Sequence, residues 1–173
     1  MKILFLTVVL SLFSILQAQE TLPTERFGGT YVVKAIAADI TREEKPKDMS
    51  PLTITNLDNG NLEVKFTFKK HGQCKEIKLI LEKTNNPRLF SVVSPEGKRQ
   101  VLVEETSVRN HWIIFCEGEL HGKWAKIAKL VGPSTEENPK AFEDYKKFVS
   151  AKGFNEEKIN IPIQAESCTP EQA

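Results

Sequence analysis

The chain has little charge of either sign in excess. Lys and Arg number 24 and Asp and Glu 23, leaving a formal net charge of +1 in 173 residues. Near-neutrality with the signs interspersed removes the electrostatic footprint of a nucleic-acid binder and argues against disruption of membranes. Histidine is equally sparse: the three present, His71, His111 and His121, fall at loops or strand starts without zinc-ligand spacing. There is no nucleophile elbow and no glycine-rich phosphate loop, so neither a cofactor nor a metal is expected. The Asn-x-Ser/Thr pattern is missing, and N-glycosylation is not expected.

Long apolar runs are lacking except at the start. MKILFLTVVLSLFSILQAQE carries the basic Lys2, an uncharged segment over 3–16 and small Ala18 at a cleavage point. That is the pattern of a secretory signal peptide, too short for a comfortable membrane span and without a stop-transfer pattern. Cleavage after Ala18 leaves 19–173 as a single domain long enough for a real core. Loss of Lys2 then makes the acidic and basic counts equal. The expected product is soluble and extracellular, with no membrane insertion.

Cysteine is scarce too. Cys74, Cys116 and Cys168 permit three single bridges, with one thiol left over. Cys168 sits in the polar tail QAESCTPEQA, which has no other visible attachment, whereas Cys116 sits in the apolar run WIIFCEG, where a small buried thiol is ordinary. The favoured pair is Cys74–Cys168.

What the chain does have is alternation. In LEVKFTF, 62–68, Leu62, Val64, Phe66 and Phe68 alternate with polar residues, giving one apolar and one wet face. PLTITNL precedes it through Asp58-Asn59-Gly60, a hairpin signal. Further strand patterns follow at 75–83, RLFSVV, QVLVEE, NHWIIFCE and KWAKIAKLV, and RFGGTYVVKAIAAD opens the series through Gly28-Gly29. Eight strands joined by short turns, apart from one longer loop at 39–50, suggest an up-and-down barrel or a sandwich. The regular dry-and-wet alternation favours the all-β barrel. After Gly132 the period changes. ENPKAFEDYKKFVSAKGF places Phe142, Tyr145, Phe148 and Val149 at helical spacing, with Asn138 as N-cap, Pro139 at the first position and Gly153 as the stop. This predicts one helix whose aromatic stripe packs on the outside of the barrel, then a short strand over 158–163.

These residues resemble a lipocalin, and more closely the tear lipocalin, von Ebner's gland and odorant-binding group with the vomeronasal secretory lipocalins. The matching stretches are GTYVVKAIAAD, DNGNLEVKFTF, GQCKEIKLILEKT, IIFCEGELHGK, KLVG and the helical AFEDYKKF, and CEGELHGK is the most specific. The resemblance runs over 27–168. It implies an eight-stranded antiparallel calyx with an open mouth rimmed by 39–50, 70–73, 94–97 and 117–122. The turns at 58–60, 84–87 and 106–110 would lie at the closed floor. The family's disulfide joins the mouth end of the fourth strand to the tail, in agreement with Cys74–Cys168. The family's Gly-x-Trp signature is here Gly29-Thr30-Tyr31, and the Arg that packs on that Trp is absent, since KLVG runs into Pro133. Tyr31 is then expected to plug the floor.

Residues expected to face the interior are Ile54, Val64, Phe66, Phe68, Ile77, Leu79, Phe90, Val92, Val101, Val103, Trp112, Ile114 and Cys116, with Leu62 and Leu81 as floor packing beside Gly29 and Tyr31. Read from the residues alone they are simply a core; the resemblance makes most of them the lining of a ligand site. Lys129 is a polar-anchor candidate. Its strand can face inward through Ala125, Ile127, Lys129 and Val131 or through Trp124, Lys126, Ala128 and Leu130, and a solvated surface lysine is the competing reading. A ligand burying about eight methylenes at about 0.8 kcal/mol each gains roughly 6–7 kcal/mol, partly offset by lost translational freedom, so affinity near micromolar is expected.

The resemblance implies a secreted, non-enzymatic carrier of small hydrophobic molecules (odorants, pheromones, fatty acids or steroids) in nasal, vomeronasal or glandular fluid. A general lipid scavenger of epithelial fluids is the alternative. Less favoured are an enzyme acting through Cys116 and a protease-inhibitory or receptor-binding protein working through its mouth loops, chiefly 39–50.

Overall fold

The computed structural model describes residues 26–39 and 48–171. The expected signal peptide and most of the 39–50 loop lie outside these residues. Strands β1 (Gly29–Asp39), β2 (Leu52–Asn56), β3 (Leu62–Lys70), β4 (Gln73–Lys83), β5 (Leu89–Ser94), β6 (Gly97–Glu105), β7 (Trp112–Leu120) and β8 (Lys123–Gly132) follow one another as an antiparallel meander. β1 pairs with β8 along most of its length and with β2 through Gly29, Thr30 and Tyr31, which closes the sheet into a barrel. Two of the hairpins turn on His-Gly pairs. His71 and Gly72 have φ of 53° and 77°, His121 and Gly122 of 51° and 79°, as a two-residue turn matched to strand twist requires. These histidines are turn residues.

The register of β1 slips between Val33 and Ala35. One extra residue reverses the inside-outside parity of the strand. Before the slip Tyr31 and Val33 point into the barrel; after it Ile36 does, while Ala35 and Ala37 face outward. Lys34, left on the outside, contacts the Glu136 carbonyl and lies 3.3 Å from His111 Nε2. Gly132 fits beneath this pair, where an added Cβ would come within 2.8 Å of His111 Cδ2.

Helix α1 (Pro139–Ala151) starts at Asn138, whose side chain accepts a hydrogen bond from Ala141 N at 3.0 Å. Gly153 follows its end with φ 86°. The helix buries Ala141, Tyr145 and Val149 against Ala35, Ala37, Ile113, Phe115, Ala128 and Leu130. Phe142 and Phe148 flank this contact rather than forming its centre. Small alanines on both sides let helix and sheet approach closely, so the wide aromatic stripe read from the sequence sits at the edges. Tyr145 fills the middle and donates a hydrogen bond to the Ala128 carbonyl at 2.8 Å.

After a single 3-10 turn at Glu156–Lys158, strand β9 is only Ile159–Asn160, paired with Ala37 and Ile36. The strand expected over 158–163 is cut short at Pro162, which has no N–H to give the ladder. The tail still holds its course: Met49 N donates to the Ile163 carbonyl at 2.8 Å and Ala165 N to the Met49 carbonyl at 3.0 Å. It ends in a disulfide between Cys74 and Cys168. Cys168 N donates to Thr67 Oγ1 at 3.0 Å, so the tail covers a buried hydroxyl on the outer face of β3.

Burial pushes the Tyr145 phenol well above its ordinary range. Folding therefore favours the protonated phenol. That contribution is whole below about pH 10, where an unfolded tyrosine titrates, and is lost above it. Tyr145→Phe should lose about 1–2 kcal/mol in urea unfolding at pH 7, and the gap from wild type should narrow at pH 11. The bridge joins positions 94 apart in sequence, and its loss in Cys168→Ser should lower stability by up to about 4–5 kcal/mol in the chain-entropy account, read from the urea midpoint.

Candidate functional site

The barrel interior divides at mid-height. At the floor, Phe27 packs on Tyr31 and Trp112 with ring centroids 5.4 and 5.0 Å apart. Tyr31 donates a long hydrogen bond to the Gly28 carbonyl at 3.5 Å, and its burial raises the phenol above its usual range. Three aromatic rings thus close the end where β1 begins.

Above the plug lies a cavity of about 120 Å³, lined by Phe27, Leu52, Val64, Phe66, Leu79, Leu81, Val92, Arg99, Val101, Val103, Ile114, Cys116, Ile127 and Lys129. It is comparable with cavities that accept a benzene ring. Two larger hollows lie outside the barrel. One, of about 500 Å³, runs between the start of α1 and Ile161–Gln164, and the other, of about 540 Å³, surrounds the floor turn at Arg109. Both lie on the outer surface, and their linings include several charged and polar residues. The cavity inside the barrel is the candidate site.

Of the residues read as interior, Val64, Phe66, Leu79, Val92, Val101, Val103, Ile114, Cys116 and Lys129 border this cavity. Ile54, Phe68, Ile77, Phe90 and Trp112 do not. Ile54, Phe90 and Trp112 are buried in the packed core, and Phe68 and Ile77 are half-buried beyond the cavity. Trp112 is on the same face as Ile114 and Cys116, yet it sits in the row of Val131 and belongs to the floor plug. Leu62 is packed in the core, as expected of the floor, whereas Leu81 reaches the cavity as well. Phe27, Leu52, Arg99 and Ile127 line it without having been singled out as ligand residues.

The orientation of β8 is settled by packing. Ile127 and Val131 join the barrel core, while Ala128 and Leu130 join the helix-side cluster. Lys129 consequently faces inward, opposite Ile114. Burial holds its ammonium below the ordinary lysine range; Cys116 opposes this and the Arg99 guanidinium adds to it. The folded protein therefore binds this proton less tightly than the unfolded chain, a penalty on stability that is full below the folded value and fades as pH rises from there toward the unfolded one.

Cys116 is the free cysteine. Burial pushes its thiol up, partly countered by Arg99 and Lys129. His111 lies outside the cavity lining, with Nδ1 3.0 Å from the Arg109 carbonyl. The thiol is thus a polarizable wall atom without an imidazole to activate it among the cavity-lining residues.

With this geometry in place, the comparisons with known proteins are specific. The family model described as "Lipocalin / cytosolic fatty-acid binding protein family" matches residues 28–166. Late lactation protein B of Notamacropus eugenii is 62% identical, covering 99% of each chain. Von Ebner gland protein 1 of Rattus norvegicus is 41% identical over 97% of each chain. Vomeronasal secretory protein 1 of Mus musculus is 33% identical, covering 99% of this chain and 94% of its own. The chain belongs to the lipocalin family, whose members carry small hydrophobic ligands.

The raised thiol of Cys116 gives a direct test. Its rate of alkylation by iodoacetamide, followed by mass spectrometry, should have a pH midpoint above the ordinary thiol value of about 8.5. The urea-unfolded chain should return to that value.

Proposed function

We propose that this protein is a secreted, non-catalytic carrier that binds compact apolar or amphiphilic molecules in its calyx and travels with a glandular secretion. The observation that carries this reading is a cavity inside the barrel lined chiefly by aliphatic and aromatic side chains, above a floor packed with three aromatic rings. Apolar burial supplies the affinity, and such a lining discriminates weakly between neighbouring chain lengths. A volume near 120 Å³ suits ligands of roughly six to ten heavy atoms. That scale fits volatile odorants and short amphiphiles better than steroids or long-chain lipids.

Secretion is supported by the disulfide, a bond of oxidising compartments, and by the signal-like residues 1–18, which lie outside the described residues. The strong similarity to a late lactation protein favours a glandular fluid. A role with odorants or pheromones in nasal or vomeronasal fluid is the second reading, supported by the vomeronasal secretory relative. Catalysis through Cys116 is disfavoured by its raised thiol. A receptor-binding or inhibitory role would fall to the mouth loops, most of whose longest member lies outside the described residues.

The test is displacement of a fluorescent apolar probe from residues 19–173 by alcohols, fatty acids and steroids of graded size. Saturable binding near micromolar is expected, with eight-carbon competitors ranking above stearate and cholesterol. Ile114→Trp should fill the cavity and lower probe affinity at least ten-fold while leaving the circular dichroism spectrum unchanged. Equal binding by this variant would move the site elsewhere.

A further inference from the structure

Arg99 is, with Lys129, one of two charged residues on a largely apolar inner wall. It lies two positions before Val101 and four before Val103 on β6, so the pleat turns all three inward. Its side chain is only 12% exposed. Nη2 donates to Ser94 Oγ at 3.3 Å and lies 3.8 Å from Glu96 Oε2, a carboxylate that is itself half in solvent. Nε is buried and has no hydrogen-bond partner among the described residues. A guanidinium presents five N–H donors in a fixed fork, and here one edge is steadied at the rim while Nε is left unsatisfied. A buried unpaired donor of this kind is uncommon and costly.

The backbone opposite makes room for this arrangement. Gly118 on β7 pairs with Arg99, and an added Cβ there would lie 2.7 Å from Arg99 Cα and 3.1 Å from Cγ. Among the described residues the cavity lining contains no carboxylate, and its second cation, Lys129, sits lower, in the row of Ile114. Both cations bear on Cys116, which lies between their rows. The described lining thus carries two cations, with the half-exposed Glu96 as the carboxylate beside Arg99.

We propose that Arg99 is a specificity-determining residue that selects ligands with an anionic head group, holding a carboxylate or sulfate just inside the mouth with the apolar chain directed toward the Phe27 plug. The proposal rests on the calyx being the ligand site. A bound anion would supply the missing acceptor for Nε and offset the Arg99–Lys129 repulsion. A charge-assisted contact of this type is strong in a dry setting.

Octanoate and 1-octanol are the probes, competed against a fluorescent apolar reporter on residues 19–173. Octanoate should bind the wild type at least ten-fold more tightly than octanol. Arg99→Gln should abolish that preference, weakening octanoate roughly ten- to hundred-fold and octanol far less; an unchanged far-ultraviolet circular dichroism spectrum and urea midpoint show that the variant is folded. Arg99→Lys should keep only part of the preference, because a point charge cannot reproduce the fork. Sulfate heads are compared with octyl sulfate in the same series. An undiminished octanoate preference in Arg99→Gln, with its loss in Lys129→Met, would overturn the proposal and place the anion at the deeper lysine. Equal binding of octanoate and octanol by the wild type would also overturn it while leaving the calyx intact. Binding of neither would overturn both.

Discussion

Everything inside the barrel depends on β1 serving two neighbours at once. Its first residues pair with β2 and the rest with β8, so it joins the two ends of the meander. A register slip falls between Val33 and Ala35, within the pairing to β8. It decides which side chains go where: large Tyr31, Val33 and Ile36 fill the interior, and small Ala35 and Ala37 are delivered to the helix. A filled interior and an alanine face for the helix thus follow from the same extra residue.

The interior then works by contrast between its ends. Three rings consume the volume at the floor, so the space that remains is displaced toward the mouth. The two cations of the lining stand in that remaining space and not among the rings. An apolar wall gives affinity with little selectivity, whereas a few fixed charges in a low dielectric can discriminate steeply. A tyrosine at the position where the family usually has tryptophan does not breach the floor, because Trp112 and Phe27 complete the plug.

Much of this was legible in the sequence, and the exceptions have physical causes. Alternation located the strands because most have one covered and one wet face. It failed to orient β8, whose outer face is covered by α1, so that Ala128 and Leu130 are as dry as Ile127 and Val131. Trp112 was given the correct face but the wrong depth, since periodicity carries no information on height along a barrel. Phe27 and Leu52 stand at or before strand starts, where no period has been established. Arg99 was passed over because the strand pattern was begun at Gln100 with QVLVEE; carrying the parity of Val101 and Val103 back by one step would have turned it inward. The disulfide was legible from the tail's lack of any other attachment, and the bridge joins the pair so chosen.

The course of the tail has a consequence for resistance to proteolysis. From β9 to Cys168 the chain is held in turn by β1, by Met49 and by the bridge to β4. An exopeptidase entering from the C-terminus can trim the last residues but stalls at the half-cystine, and a cut made between the anchors frees no fragment beyond it. The same bond that ties down the tail thus sets a ratchet against digestion from that end.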